Sequence, residues 1–158
     1  MLKITGSKKN IENCEFVSFI TDLLKSDEIQ NLKNFKHHIK TTRFQHSLNV
    51  SYYNYIVCKK LRWDFVSAAR AGILHDLYFY ETAEYVGEVR HNKNHPVVAL
   101  QNAEKFGLNL LEKDIITKHM FPCTLKLPKY KETFVIIVVD KFCAIMEFLA
   151  KKSCPKKI

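Results

Sequence analysis

Six side chains of metal-ligand type stand out along this sequence: His46, the adjacent pair His75 and Asp76, then His95, His119 and Asp140. Each lies in or beside an apolar stretch with helical patterning, where an unpaired charge or imidazole is costly to bury. A shared cation would satisfy them all. Imidazole nitrogen and carboxylate oxygen form a mixed donor set that accepts Fe, Mn, Co, Ni, Zn or Mg and separates them poorly by softness. An ion in such a site acidifies a bound water from a pKa of about 15.7 toward roughly 7, which supplies a nucleophile without a Ser or Cys.

His46, His75, Asp76 and Asp140 suffice for one six-coordinate ion. If His95 and His119 face the same cavity, Asp76 can bridge to a second ion, and water between the two becomes the attacking group in phosphoryl displacement. Blander roles compete. His95, before Pro96, could cap a helix, and His119 could be satisfied by an Asp or a backbone carbonyl. Asp140, amid Val138, Val139 and Phe142, is hardest to explain otherwise, because its neighbour Lys141 points elsewhere on a helix. Arg43 precedes His46 by one short helical step and can reach a phosphate bidentately. Lys118 and Lys141 adjoin proposed ligands and join Arg43 and Asp76 as the catalytic candidates. His37, His38 and His91 sit in polar, lysine-rich surroundings and are expected to be exposed.

The elements that must position these groups follow from periodicity. Apolar residues at three- and four-residue steps predict a helix from Ile11 to Leu24, with a short helix possible around Glu28 to Phe35. Thr41 or Thr42 can cap a second long helix over Arg43–Lys60, with His46, Val50, Tyr53 and Val57 on one stripe. Asp64 opens a third, whose run Ala68-Ala69-Arg70-Ala71-Gly72 lets another backbone approach closely. Neighbours on a helix point about 100° apart, so His75 and Asp76 can converge on one ion only from its last turn.

Tyr78 to Asn94 reads as a long connection covering the site, its aromatics at 78–80 stacking on a base or walling the cavity. His95-Pro96 is expected to begin the fourth helix and Gly107 to end it. Glu112 or Asp114 begins the fifth, and Phe121 to Lys131 is a surface loop. Phe134 to Leu149 is a buried core helix, too short and too interrupted by Asp140 and Lys141 to cross a bilayer.

With 158 residues, 47% of them hydrophobic, and only four Gly and four Pro, the chain fits one all-α unit of about six helices with the site between them. Residues 1–40 read as a helical extension packed on the core, 41–150 as the main domain, and 151–158 as a basic tail expected to be disordered. Five scattered cysteines without a C-x-x-C pair, and an N-terminus without an apolar signal core, point to the cytoplasm. The net charge of +9 draws in anionic partners, although much of it lies in terminal lysines. No nucleic-acid reader motif accompanies it.

Three segments together resemble the HD superfamily of metal-dependent phosphohydrolases: Arg43-Phe44-Gln45-His46-Ser47-Leu48, the small-residue run into Leu74-His75-Asp76, and Val138-Val139-Asp140-Lys141. The similarity spans about Thr41 to Leu149. It implies an all-helical fold with His46, His75, Asp76 and Asp140 as primary ligands. His95 and His119 match the further histidines of its two-metal branch. The residues after His119 and Asp140 depart from the diadenosine tetraphosphate hydrolases of that branch, and no Gly-Tyr-Pro element of the cyclic dinucleotide enzymes is present.

The expectation is hydrolysis of a phosphate ester or anhydride, in a small nucleotide, by hydroxide on one or two divalent ions. A di-iron oxygenase with the same ligands is one alternative. A nucleotide- or RNA-binding module with a structural metal is the other. Substrate identity and oligomeric state stay open at this stage.

Overall fold

The structure, a computed structural model, describes residues 2–7, 15–37, 41–80 and 88–152, without the side chains of 88–92 and 151–152. Among these residues it is all-helical apart from one two-residue strand pair. Helix α1 (Glu15–Leu24) turns Phe16, Ile20 and Leu23 inward at three- and four-residue steps. The short α2 (Asp27–Asn31) starts at Ser26, whose side chain accepts from the Ile29 N–H. A single 3-10 turn leads to β1 (Lys36–His37), which pairs antiparallel with β2 (Thr41–Thr42) in the register Lys36 to Thr42 and His37 to Thr41.

Thr42 caps α3 (Arg43–Leu61) by accepting from the Gln45 N–H, a contact worth about 1 kcal/mol. Unlike a surface helix, α3 is buried over most of its circumference, and its interior positions include His46, Ser47, Asn49, Ser51 and Asn54 as well as Leu48 and Val50. It ends at Arg62 in the left-handed region (φ 57°). Asp64 then caps α4 (Phe65–Leu74) through the Ser67 N–H at 2.9 Å.

The α3–α4 pair is the centre of the molecule. A Cβ on Gly72 would lie 2.6 Å from the Ser51 Cα, so only glycine permits this approach, and the Ser51 hydroxyl donates to the Ala69 carbonyl at 2.6 Å beside it. Around the pair pack α1, α6 (Leu110–Lys118) and α7 (Lys131–Lys152), with α5 (Glu88–Ala103) against α6. Phe16, Ile20, Leu23, Ile29 and Leu32 belong to the same continuous core as Leu48, Ile73, Leu77 and Ile115.

Asn109 and Glu112 close a reciprocal capping box at the start of α6, so the helix begins two residues before Glu112. The buried Asp114 carboxylate then ties α6 to α7, accepting from Lys118, the Thr133 hydroxyl and the Lys129 N–H.

Three expectations are corrected. The helix over 134–149 is not buried all round: Ile136, Val139, Cys143 and Glu147 face inward while Phe134, Val138, Phe142, Ile145 and Leu149 are exposed. Residues 88–94 belong to α5, so the connection after Tyr80 is shorter than 78–94; its part 81–87 lies outside the described residues. Lys93 and Asn94 are exposed, so helix forms there without an apolar period. His95-Pro96 therefore lies within a helix and does not start one, Pro96 forgoing one backbone bond. Gly107 does end this region, at φ 68° after a 3-10 turn. Seven α-helices are present among the described residues, one being the short α2. No helix there is long and apolar enough to cross a membrane. The tail from 153 onward lies outside the described residues.

Candidate metal centre

Five segments bring the site together. Helix α3 presents His46 from its first turn, where the Thr42 cap fixes the helix start. Helix α4 ends at Leu74, so His75 is its C-cap and Asp76 follows in the exit turn. That position lets two sequence neighbours turn toward one point. His95 comes from α5, His119 from the C-cap of α6, and Asp140 from the middle of α7.

Asp76 is the hub. Its Oδ2 lies 3.6 Å from His75 Nε2, while its Oδ1 lies 3.4 Å from His95 Nε2 and 3.7 Å from His119 Nε2. Asp140 Oδ1 is 2.9 Å from His46 Nε2 and 3.8 Å from His75 Nε2. Two groups of potential ligand atoms result, His46/His75/Asp76 and Asp76/His95/His119, each within 4.8 Å of one another. Both are compact enough to hold a metal ion.

Backbone carbonyls set the tautomers. His75 Nδ1–H donates to the Gly72 carbonyl at 2.9 Å, and His119 Nδ1–H to that of Ile116 at 2.8 Å. Each ring therefore directs Nε2 into the centre, as metal-binding histidines do when the other nitrogen is tied. His75 Nε2 is fully buried and has no hydrogen-bond partner among the described residues, although it faces two carboxylates. Only a cation, whether proton or metal, suits that position. His95 Nε2 and His119 Nε2 approach to 2.9 Å, a contact between two nitrogens that needs a shared proton or an ion.

Burial alone would lower the pKa of His46, but its hydrogen bonds to Asp140 and Glu147 outweigh that and lift it to about 10. His75 is likewise raised, burial being overcome by Asp76 and Asp140. His119 moves the opposite way, down to about 3, through burial and then the neighbouring His95 and His75. Burial disfavours ionised Asp76, yet the imidazoles of His75, His95, His119 and His37 hold it well below the usual carboxylate range. Asp140 is lowered in the same way by His46 and His75.

The structure adds two residues that the sequence did not single out. Glu147, expected nowhere, is buried, receives the His46 Nδ1–H with both oxygens at 3.2 Å, and is fixed by Asn49 Nδ2 at 2.7 Å. It lies seven residues beyond Asp140, on the same face of α7, and that spacing was its signal. His37, expected to be exposed, has most of its side chain buried and stacks on His46 with ring centroids 3.7 Å apart. Its Nε2 lies 3.7 Å from Asp76 Oδ2. Only the β1–β2 pairing puts it there, and a two-residue strand leaves no sequence pattern. His37, His46 and Glu147 form a third group able to hold an ion. His38 and the His91 side chain lie outside the described residues.

The cationic candidates are not brought to the centre. Arg43 is fully buried, donating from its two terminal nitrogens to the Tyr78 carbonyl at 2.8 Å and the Tyr80 carbonyl at 3.1 Å, with its guanidinium 3.7 Å from the Tyr78 ring centroid. Those bonds take the fork that a phosphate would need, and Arg43 instead secures the segment following Asp76. Lys118 is paired with Asp114, and Lys141 is exposed with its ammonium near the Ile137 carbonyl. Tyr78 is core, packed between Arg43 and His95. The least enclosed members of the centre are Asp140 and His37, with side chains 18% and 15% exposed, so a solute would approach between them.

No protein-family model matches this chain, and neither a curated protein nor a solved structure matches it.

Proposed function

We propose that this chain is a metal-dependent phosphohydrolase of HD type, acting on a phosphate ester or anhydride of a small nucleotide. The observation that carries the reading is the division of Asp76, one oxygen toward His75 and the other toward His95 and His119. A carboxylate so placed suits a bridge between two divalent ions, of which Mn, Fe, Co, Ni, Zn and Mg are all compatible with the donor set. Ions held there would acidify water and neutralise the charge that develops on a transferring phosphoryl group.

The chain supplies the holding and the orientation. Gly72 and Ile116 carbonyls keep His75 and His119 in the ligating tautomer, and Glu147 does the same for His46 through Nδ1. Asp76 would hold metal from both halves of the centre, while Asp140 completes the His46 side and adjoins the approach. Arg43 acts at one remove, by fixing the segment that leaves Asp76. Because Arg43, Lys118 and Lys141 are engaged elsewhere or exposed, charge neutralisation in this reading falls to the ions.

The test has two parts. Elemental analysis of protein purified without chelator should find close to two divalent ions per chain, and a panel of phosphorylated metabolites assayed with each metal should release phosphate. Asp140→Ala should lower metal content and turnover together while circular dichroism still reports a helical fold. Full turnover and full metal content in that variant would sink the assignment. Product formation only with oxygen and mixed-valence iron would replace the hydrolase with the oxygenase alternative, whereas anaerobic turnover with Mn or Co excludes it.

A further inference from the structure

Helix α7 has two working faces. Asp140 and Glu147 point into the metal centre from one side. On the opposite side Phe134, Val138, Phe142, Ile145 and Leu149 are exposed, at 49%, 67%, 44%, 59% and 50% of their surfaces. At 100° per residue these five fall within about 80° of arc, almost diametrically opposed to Asp140 and Glu147. Steps of four, four, three and four keep them in line over about 23 Å of helix.

Exposed apolar residues scattered singly need no explanation, but this is a continuous seam on a rigid element. It leaves on the order of 500 Å² of apolar surface, at the upper end of what a monomer shows in one patch. The width matters too. An apolar stripe this narrow is the kind that packs against a single helix, in contrast to the broader stripe that covers a globular core.

We propose that the seam is the interface of a homodimer, formed by antiparallel pairing of α7 with α7 of a second copy. Two features select a second copy. The seam is self-complementary under a two-fold axis passing between Lys141 and Phe142: Phe134 meets Leu149 and Val138 meets Ile145, an apolar residue opposite an apolar residue on both sides of the axis. Pairing two such seams removes about 1,000 Å² from water before the rim is counted, the size at which a specific interface begins. At the centre of this register Lys141 of one chain lies against the Phe142 ring of the other, and an ammonium over an aromatic face is attractive. The acids of α7 that could oppose association, Glu132, Asp140 and Glu147, all point inward, the first and last nearly completely buried. This inference does not depend on the phosphohydrolase reading.

The experiment is sedimentation velocity on the full chain over a range of concentrations, for the wild type, Val138→Glu, Ile145→Lys, and the double variant Val138→Lys with Ile145→Glu. The wild type should sediment as a dimer. Each single variant should weaken association about a hundredfold or more, with unchanged helicity and metal content, because exposed positions tolerate substitution in the monomer. In the double variant each new lysine faces a new glutamate across the two-fold, so dimer should return; in a parallel pairing it would not.

A monomeric wild type at 100 μM or so would overturn the proposal, as would a dimer indifferent to the single variants. If the wild type were monomeric and floated with vesicles of anionic phospholipid, the seam would be a membrane contact instead. Failure of the double variant to recover would refute the antiparallel register.

Discussion

The two oxygens of Asp76 face neighbourhoods of opposite electrostatic character. On the Oδ2 side three histidines, His37, His46 and His75, are interleaved with Asp140 and Glu147, and the acids are strong enough to raise His46 to about 10. On the Oδ1 side His95 and His119 both lie against that one oxygen, and burial with the neighbouring His95 and His75 takes His119 down to about 3. In the first half raised imidazoles sit against carboxylates, and in the second His119 offers neutral nitrogen. One carboxylate thus joins an oxygen-rich position that would suit a hard ion and a nitrogen-rich position that would suit a borderline one.

Substitutions can separate the halves, and their effects should rank. Asp76→Asn belongs to both sides and should cost the most: metal analysis should find neither ion, with turnover falling well beyond the about 100-fold that outer-shell partners cost. Retention of one ion would show that the halves are independent and that Asp76 does not bridge. His119→Gln should halve the metal content and leave the His46 side loaded; loss of both ions there would show the halves to be coupled more tightly than the geometry implies.

Glu147→Gln reaches only an outer partner of one half. Metal affinity should fall about 10- to 100-fold at the His46 position and stay unchanged at the other, read by titration with a competing chelator. An unchanged affinity at both would reduce Glu147 to packing.

The smallest effect on metal should come from Asp114→Asn, a buried acid whose partners are all structural. Burial opposes its ionisation, but Lys118, Thr133 and the Lys129 N–H hold its folded pKa below the ordinary carboxylate value. Its stabilisation is therefore fully present above the unfolded-state pKa and is lost as pH falls through the lower folded one. The variant should unfold about 1.5–3 kcal/mol more easily at neutral pH, converge on the wild type in acid, and bind metal as before. A gap that persists below pH 2 or so would mean that the carboxylate's charge is not the source.

The helices could be read from the sequence because their apolar periods and caps are local: Thr42, Asp64 and Gly107 mark boundaries of the kind their side chains predict. The start of α5 was hidden for the converse reason, since exposed positions such as Lys93 and Asn94 impose no period on the chain. At the centre, His46, His75, Asp76, His95, His119 and Asp140 could be chosen as a set because each sat in apolar surroundings with nothing nearby to pair it. Glu147 escaped notice although it repeats the register of Asp140 two turns on. His37 could not be found at all, because its place depends on a hairpin of two-residue strands. For Arg43 the sequence shows that a guanidinium is near the other candidates and not that the Tyr78 and Tyr80 carbonyls lie closer.

The absent side chain at Gly72 bears on ion choice. With the Ser51 backbone where its Cβ would be, α4 has no slack against α3, and the distance between the His46 and His75 rings is set by the width of a bare peptide. Any larger residue would wedge the two helices apart and carry one ring away from the other. The spacing that these two rings would offer an ion thus rests on main-chain contact, so fitting a bigger ion there would call for remodelling the helix pair and not only for swapping ligands.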